Sequence, residues 1–268
     1  MLLSHGSLGW KLKSSLYIIT GVIAAFLALP IFFIMALSFG SSQWLVFPPP
    51  SWTLKWYERF FDNPQWMESA MTSLQVASLT SIIATLLAIP ASFALVRGKF
   101  RGRDYLYTFF TLPMVVPVVI IAVAVYGTFL NLGLTGTLFA FVTSHVIIAL
   151  PFAIISIINS LRLFDKSIED AAVICGAHRI QAILKVTFPV IKPGVISAAL
   201  FSFLVSWDEV VISVMMASPN LQTLPVKMWS TLRQDLTPVI AVASTLLILL
   251  SLFIMIIASF VRKQSNHR

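Results

Sequence analysis

Acidic residues are scarce in this sequence: 10 Asp and Glu in 268 residues, against 18 Lys and Arg. Charged residues make up 10% of the chain, where soluble domains carry roughly a quarter. That scarcity excludes an ordinary soluble domain. Cys175 is the single cysteine, so no internal disulfide can form, and no paired Cys/His spacing suits a metal. No G-x-x-x-x-G-K-S/T run occurs, so the chain lacks the loop that cradles nucleotide phosphates. Low-complexity tracts and tandem soluble domains are missing as well. What the chain has in abundance is apolar: 58% hydrophobic residues and a mean hydropathy of +0.93.

About 20 apolar residues at 1.5 Å rise cross a hydrocarbon core. The sequence predicts six such spans, at 16–39, 69–96, 105–130, 136–160, 194–217 and 238–261, in one membrane domain covering residues 1–268. The first is longer than the apolar core of a signal peptide, about 7–15 residues, and reads as an uncleaved helix. Thr72, Ser73, Gln75, Ser78, Thr80 and Ser81 in the second suit a helix facing other helices or a wet path. Pro90, Pro113, Pro117 and Pro151 interrupt or kink spans, and their freed carbonyls need a neighbouring helix or cavity.

Basic residues set the orientation. With a cytoplasmic N-terminus, that side holds Lys11 and Lys13, the loop with Arg97, Lys99, Arg101 and Arg103, the loop 161–193 with five more, and Arg262, Lys263 and Arg268. That is 14 of the 18 basic residues. The positive-inside rule thus predicts cytoplasmic termini and a cytoplasmic 161–193 loop. The net charge of +8 is explained by topology, with no nucleic-acid partner required. The opposite face carries the 40–68 segment. There Pro48, Pro49 and Pro50 form a stiff spacer, and Leu54, Tyr57 and Phe61 recur at helical spacing beside Trp52, Trp56 and Trp66. That segment reads as an interfacial aromatic helix or as a contact for an external protein.

The 161–193 loop is the most informative stretch. Ser167 and Asp170 have capping-box spacing, with Asp165 and Glu169 adding charge at a helix N-terminus. Ala171 and Ala172 continue that helix, and Gly176 is placed to end it in a left-handed cap. A second short helix follows, and Pro189 and Pro193 are expected to stop it and set the entry into the fifth span. A hairpin resting on the membrane surface is one reading. The small residues Ala171, Ala172, Gly176 and Ala177 favour another, in which a partner's backbone docks closely.

These residues resemble the cytoplasmic "EAA" signature of permease subunits of binding-protein-dependent ABC importers: Glu-Ala-Ala, a following Gly, and a Pro-bounded apolar end. On this chain it falls at Asp170, Ala171, Ala172, Gly176, Ala177, Pro189 and Pro193. Asp170 stands for the usual Glu, and Ile174-Cys175 stands where Asp-Leu is common. The resemblance runs over nearly the whole chain, notably LKWYERFFDNP, SHVIIALPFAI and SFLVSWDEVVISVMMASP. It is especially similar to the second permease of spermidine/putrescine-type importers; permeases for opines, aminoethylphosphonate and related solutes look similar too. The resemblance implies an all-α fold of the type I ABC importer permease, with a cytoplasmic coupling helix, in a bacterial inner membrane. It implies alternating access beside a second homologous permease, with a cytoplasmic ATPase dimer that holds ATP and Mg, and with a periplasmic or surface-tethered binding protein. This chain would then carry no cofactor and no catalytic residue.

Trp207, Asp208 and Glu209 form the second constellation. Asp208 and Glu209 are the only acidic residues within a predicted span, about 14–15 positions past its start, or about 21 Å along a helix. Acids at such depth face a wet cavity or a functional partner, and beside Trp they would suit a cationic solute. Helix packing or an outer gate would serve equally. His145 in the fourth span reads as bonded to a neighbouring helix rather than as a proton relay. Two other classes compete with the importer subunit. An ion-coupled secondary transporter or channel leaves the docking loop without a purpose, and a membrane enzyme has only Asp208, Glu209 and His145 to work with.

Overall fold

The computed structural model describes residues 10–234 and 236–265. Arg268, counted above among the basic residues of one face, lies outside them. Every regular element among the described residues is helical, as a bilayer demands of a chain whose backbone groups must be satisfied within each segment. Two compact units emerge: Met1–Asp62 with Thr231–Leu246, and Asn63–Ser230 with Leu247–Arg268.

In the first unit α1 (Trp10–Ser38) runs 29 residues with Tyr17, Ile18, Val22 and Phe26 all exposed. After it, Ser41 N–H donates to Ser51 O and Thr53 N–H to Phe39 O, closing the proline-rich loop onto itself. A short helix, α2 (Lys55–Asp62), follows. Its buried side chains are Trp56 and Phe60, and the Trp56 indole donates to Gly40 O at 2.7 Å. Leu54 and Phe61 of the helical stripe point outward. The tryptophan hydrogen bond fixes the helix's rotation against its own loop.

The second unit begins with α3 (Pro64–Arg97), started by Asn63, whose Oδ1 accepts from Gln65 N–H, and by Pro64 at its first position. Then come α4 (Arg103–Thr111), a 3₁₀ turn (Leu112–Met114), α5 (Val118–Asn131) and α6 (Leu138–Leu163). Further on are α7 (Lys166–Ile174), α8 (Arg179–Ala182), a π turn (Ile183–Thr187), α9 (Phe188–Trp207) and α10 (Val211–Met216). α11 (Leu224–Gln234) and α12 (Val239–Ser265) complete the chain.

Helices α3, α6 and α9 pack on one another in all three pairings. One apolar cluster joins Val76 and Ala84 of α3 to Phe141 and Ala149 of α6, with Phe129 of α5 and Ile212 and Met216 of α10. The other joins Ala88 and Leu95 to Ile154, Ile157, Ile191 and Ala198. Of the polar residues of α3, Ser73, Thr80 and Ser81 are buried while Gln75 is exposed. Ser81 Oγ donates to Ala199 O of α9 at 2.7 Å, and Ser73 Oγ accepts from Leu224 N–H at 2.7 Å. Gly194 lets α9 approach α6 so closely that a Cβ there would lie 1.9 Å from Ser160 Oγ.

Among the described residues five helices are long and apolar enough to cross a membrane, and a sixth crossing results if residues 103–114 and 118–131 count as one. That pair is bent by 98°, so the third expected span is broken rather than straight. Pro113 sits in the 3₁₀ turn and Pro117 precedes α5, where a missing N–H and a fixed φ end one helix and start the next. The fifth span also differs from expectation. It runs Arg179–Trp207, starting 15 residues early and ending before the acidic pair. Pro189 and Pro193 do not stop it. The π turn widens the helix just ahead of them, with Phe188 N–H bonded back to Ile183 O. That extra residue in the turn makes room for a ring that would otherwise strike a carbonyl one turn back.

Candidate functional site

α7 is nine residues long and its cap is Asp165 rather than Ser167: Asp165 Oδ1 accepts from Ser167 N–H at 2.9 Å. That bond, reinforced by the Ser167 hydroxyl, holds the Asp165 carboxyl below the usual carboxylate range. Asp170 is therefore free of capping. It faces outward with Lys166 at 3.4 Å, one turn back. Gly176 takes the left-handed conformation, φ +95°, while Ala177 N–H returns to Ala172 O and Gly176 N–H to Val173 O. The chain turns there as the glycine predicted.

Ala171 and Gly176 are exposed, and Ala172 and Ala177 half-buried. Around them Ile168, Ile174 (86% exposed), Ile180 and Leu184 point outward. This is an apolar and small-residue surface on a segment outside the long helices, as a docking element requires. Ile174, in the place where a polar residue is common, is its most exposed large side chain.

One side chain of α7 is buried, and sequence reasoning gave it no specific partner. Glu169, 9% exposed, turns inward, and its Oε2 accepts from Arg97 Nη1 at the end of α3 and from Thr187 Oγ1 at the start of α9. Arg97 in turn lies over the rings of Phe93 and Phe164, at 5.0 and 5.8 Å. A half-buried Arg pairs with a buried Glu, which alone would carry an uncompensated charge. The inward face of α7, at Phe164–Glu169, was the readable signal.

The second constellation sits where α9 ends. Trp207 is buried, stacked on Phe203 at 5.8 Å. Asp208 terminates α9 and is exposed. Glu209 is buried and turned onto the backbone: Oε1 accepts from Ile212 N–H at 2.9 Å and Oε2 from Ser213 N–H at 3.0 Å. It thereby opens α10 as a capping carboxylate. His145, fully buried on α6, spans the break, with Nδ1 2.7 Å from Ser206 Oγ and Nε2 3.0 Å from Ser213 Oγ. Its Nε2 lies 3.7 Å from Glu209 Oε2. The structure thus separates the three expected residues. Trp207 packs, Glu209 holds a helix break, and Asp208 alone is open. Among the described residues no group of His, Cys, Asp and Glu is arranged to hold a metal ion.

An all-helical chain with five or six candidate crossings among its described residues, a short exposed helix at Lys166–Ile174 and an acidic helix break has identifiable relatives. Residues 81–267 match the family of binding-protein-dependent transport system inner membrane components. The chain belongs to that family. The spermidine/putrescine transport system permease protein PotC of Haemophilus influenzae is 28% identical over 247 residues, 92% of this chain and 95% of the relative. PotC of Escherichia coli K12 is 30% identical over 240 residues, 88% and 89% of the two chains. The putrescine transport system permease protein PotI of the same organism is 31% identical over 231 residues, 83% and 82%.

Solved structures share the fold. A chain of a bacterial ABC transporter involved in the import of the acidic polysaccharide alginate superposes with a TM-score of 0.67 at 15% identity, covering 98% of this chain and 99% of that one. A chain of the MetNI methionine ABC transporter, inward facing, gives 0.61 at 18% identity over 74% and 94%. This protein is accordingly a multi-pass inner-membrane permease subunit of an ABC importer, and its work is transport rather than covalent chemistry.

Proposed function

We propose that this subunit lines half of an ATP-driven import path for a polyamine or a similar small cationic solute. It works beside a second, homologous permease, two cytoplasmic ATPase subunits that hold ATP and Mg, and an external solute-binding protein. The observation that carries this reading is α7: a helix that turns one side chain inward and offers the rest to a partner. Docked in a groove of the ATPase, it is drawn toward its counterpart when the nucleotide-bound ATPases close, and the long helices re-pack to open the path outward. Asp170 gives the docked face one carboxylate, and Ala171, Ala172, Gly176 and Ala177 let the partner backbone approach.

The cationic solute is supported by the open Asp208 carboxylate at the end of α9 and by relatives whose names specify spermidine and putrescine. A fixed anion beside the path attracts a dication or trication before it binds. In this reading Asp208 meets the solute, while Trp207 and Glu209 shape the break that presents it.

Co-expression with the neighbouring permease, ATPase and binding protein, followed by reconstitution, tests the proposal. ATP-dependent uptake of radiolabelled putrescine or spermidine is expected, insensitive to an uncoupler and abolished by an ATPase-dead partner. Uptake that survives the dead ATPase and collapses with the uncoupler would instead mark an ion-coupled carrier.

A further inference from the structure

We infer that the Arg97–Glu169–Thr187 junction is a transmission joint, through which movement of α7 reaches the cytoplasmic end of α3 as well as α9. The inference rests on the docking role proposed for α7 and adds positioning residues that the signature motif does not include. Besides the joint, α7 packs against α8 and the π turn, and its chain leads to the seam by two routes: back through Phe164 to α6, and forward through the Gly176 turn to α8 and α9. Both routes run through short non-helical links, which absorb motion by changing φ and ψ. Glu169 supplies a third route that bypasses them.

The geometry favours a rigid link. One carboxylate oxygen accepts from donors on two different long helices, so α7 cannot shift relative to either without breaking a charge-assisted bond. Thr187 is fully buried, and the Arg97 side chain is confined between Phe93 and Phe164. The Thr187 end lies in the last turn of the π segment, the irregular stretch where the helix toward the acidic break changes its register. π turns inside α-helices recur at functional sites. A push on α7 is thereby delivered to α3 and, at the register change, to the helix that ends at Asp208.

The test uses the complete reconstituted complex, with solute transported per ATP hydrolysed as the readout. Glu169→Gln and Arg97→Gln are each expected to lower that ratio about tenfold, within the range of ordinary coupling energies. The double variant is expected to lose no more than either single one, because both remove the same link. Arg97→Lys, which keeps the charge but loses the planar group set over Phe93 and Phe164, should fall between wild type and Arg97→Gln. Full coupling in Glu169→Gln, or losses that multiply in the double variant, overturn the joint.

A second measurement covers the case of poor assembly. In a Cys175→Ser background, Arg97→Cys and Glu169→Cys are bridged with a short bifunctional thiol reagent. A rigid joint predicts that bridging restores the ratio lost in the unbridged pair; arrest of transport on bridging would show that α7 pivots against α3 and overturn it. Should the wild-type complex couple ATP to a solute other than a polyamine, the same ratios are read with that solute, and only the substrate reading fails.

Discussion

The chain contains two adjacent acidic pairs, Glu169–Asp170 in α7 and Asp208–Glu209 at the end of α9, and the structure divides both in the same way. In each pair the glutamate is buried and spent on structure, tying α7 to α3 and α9 in one case and opening α10 in the other. In each pair the aspartate is exposed. On α7 consecutive residues point about 100° apart, which puts Glu169 inside and Asp170 out. Asp208 and Glu209 instead lie in the break between α9 and α10, where Glu209 turns back onto the backbone. The longer glutamate reaches its buried partners, and the shorter aspartate stays exposed near the backbone, where the proposed ATPase or solute would meet it. The two regions are joined by one nearly continuous helix, Arg179–Trp207, so the division is repeated at both ends of the element that links them.

The sharpest way to break the comparison is to remove a buried member. Glu209→Ala would leave the Ile212 and Ser213 N–H groups buried without acceptors, at about 1–3 kcal/mol for each orphaned donor. A large drop in the thermal unfolding temperature of the detergent-solubilised complex is expected. A variant as stable as wild type would mean that Glu209 is not a structural cap, and the parallel with Glu169 would fail.

The connecting helix comes next. Gly194→Ala places a Cβ 1.9 Å from Ser160 Oγ and 2.5 Å from Ser160 Cβ, an overpacking that costs about 1–3 kcal/mol. Reduced yield of assembled complex is expected, with recovery when Ser160→Gly is added. No recovery would place the strain elsewhere than at the α6–α9 crossing. A smaller effect is expected at the exposed acid of the second pair. Asp208→Asn should leave stability unchanged and slow polyamine transfer about fivefold at saturating loaded binding protein, as loss of a partly exposed ion pair of about 1 kcal/mol would. Equal rates for wild type and variant would remove Asp208 from the solute path.

How much of this was legible in the sequence follows from what each signal depends on. The long apolar runs and the Gly176 turn are local, and they were readable. The start of the fifth span was not, because Pro189 and Pro193 are stop signals by their own chemistry, yet the helix runs through both, Pro189 just past the π turn at 183–187 and Pro193 inside α9. The end of α9 was hidden for the opposite reason. Asp208 and Glu209 lie inside one apolar run, yet acids directly before Val211–Met216 are also the ordinary start signal of a new helix. Glu169 was visible as a charge near a helix N-terminus, but its partners are Arg97 and Thr187, 72 and 18 residues away. Arg97 is the harder half. Its place in a basic loop is fully explained by topology, so nothing local marks it as the one arginine turned inward.

The smallest effect belongs to the one acid of these regions that is exposed and nonetheless structural. Asp165 caps α7, and donation from the Ser167 N–H and hydroxyl holds its carboxyl below the usual range. A group with a lowered folded value contributes stability that is fully present above its unfolded pKa, about 4 for a carboxylate, and lost as pH falls through the folded value. The cap is therefore constant from pH 6 to pH 8, unlike one that depended on a histidine. Asp165→Ala should speed hydrogen exchange in the first turn of α7 by the same factor at both pH values, measured on the reconstituted complex, while Asp165→Asn or Asp165→Ser should retain most of the protection. A factor that shrinks between pH 8 and pH 6 would mean that a second titrating group shares the work of holding the docking helix. The two glutamates would then no longer be sufficient to explain why both ends of the connecting helix are fixed at neutral pH.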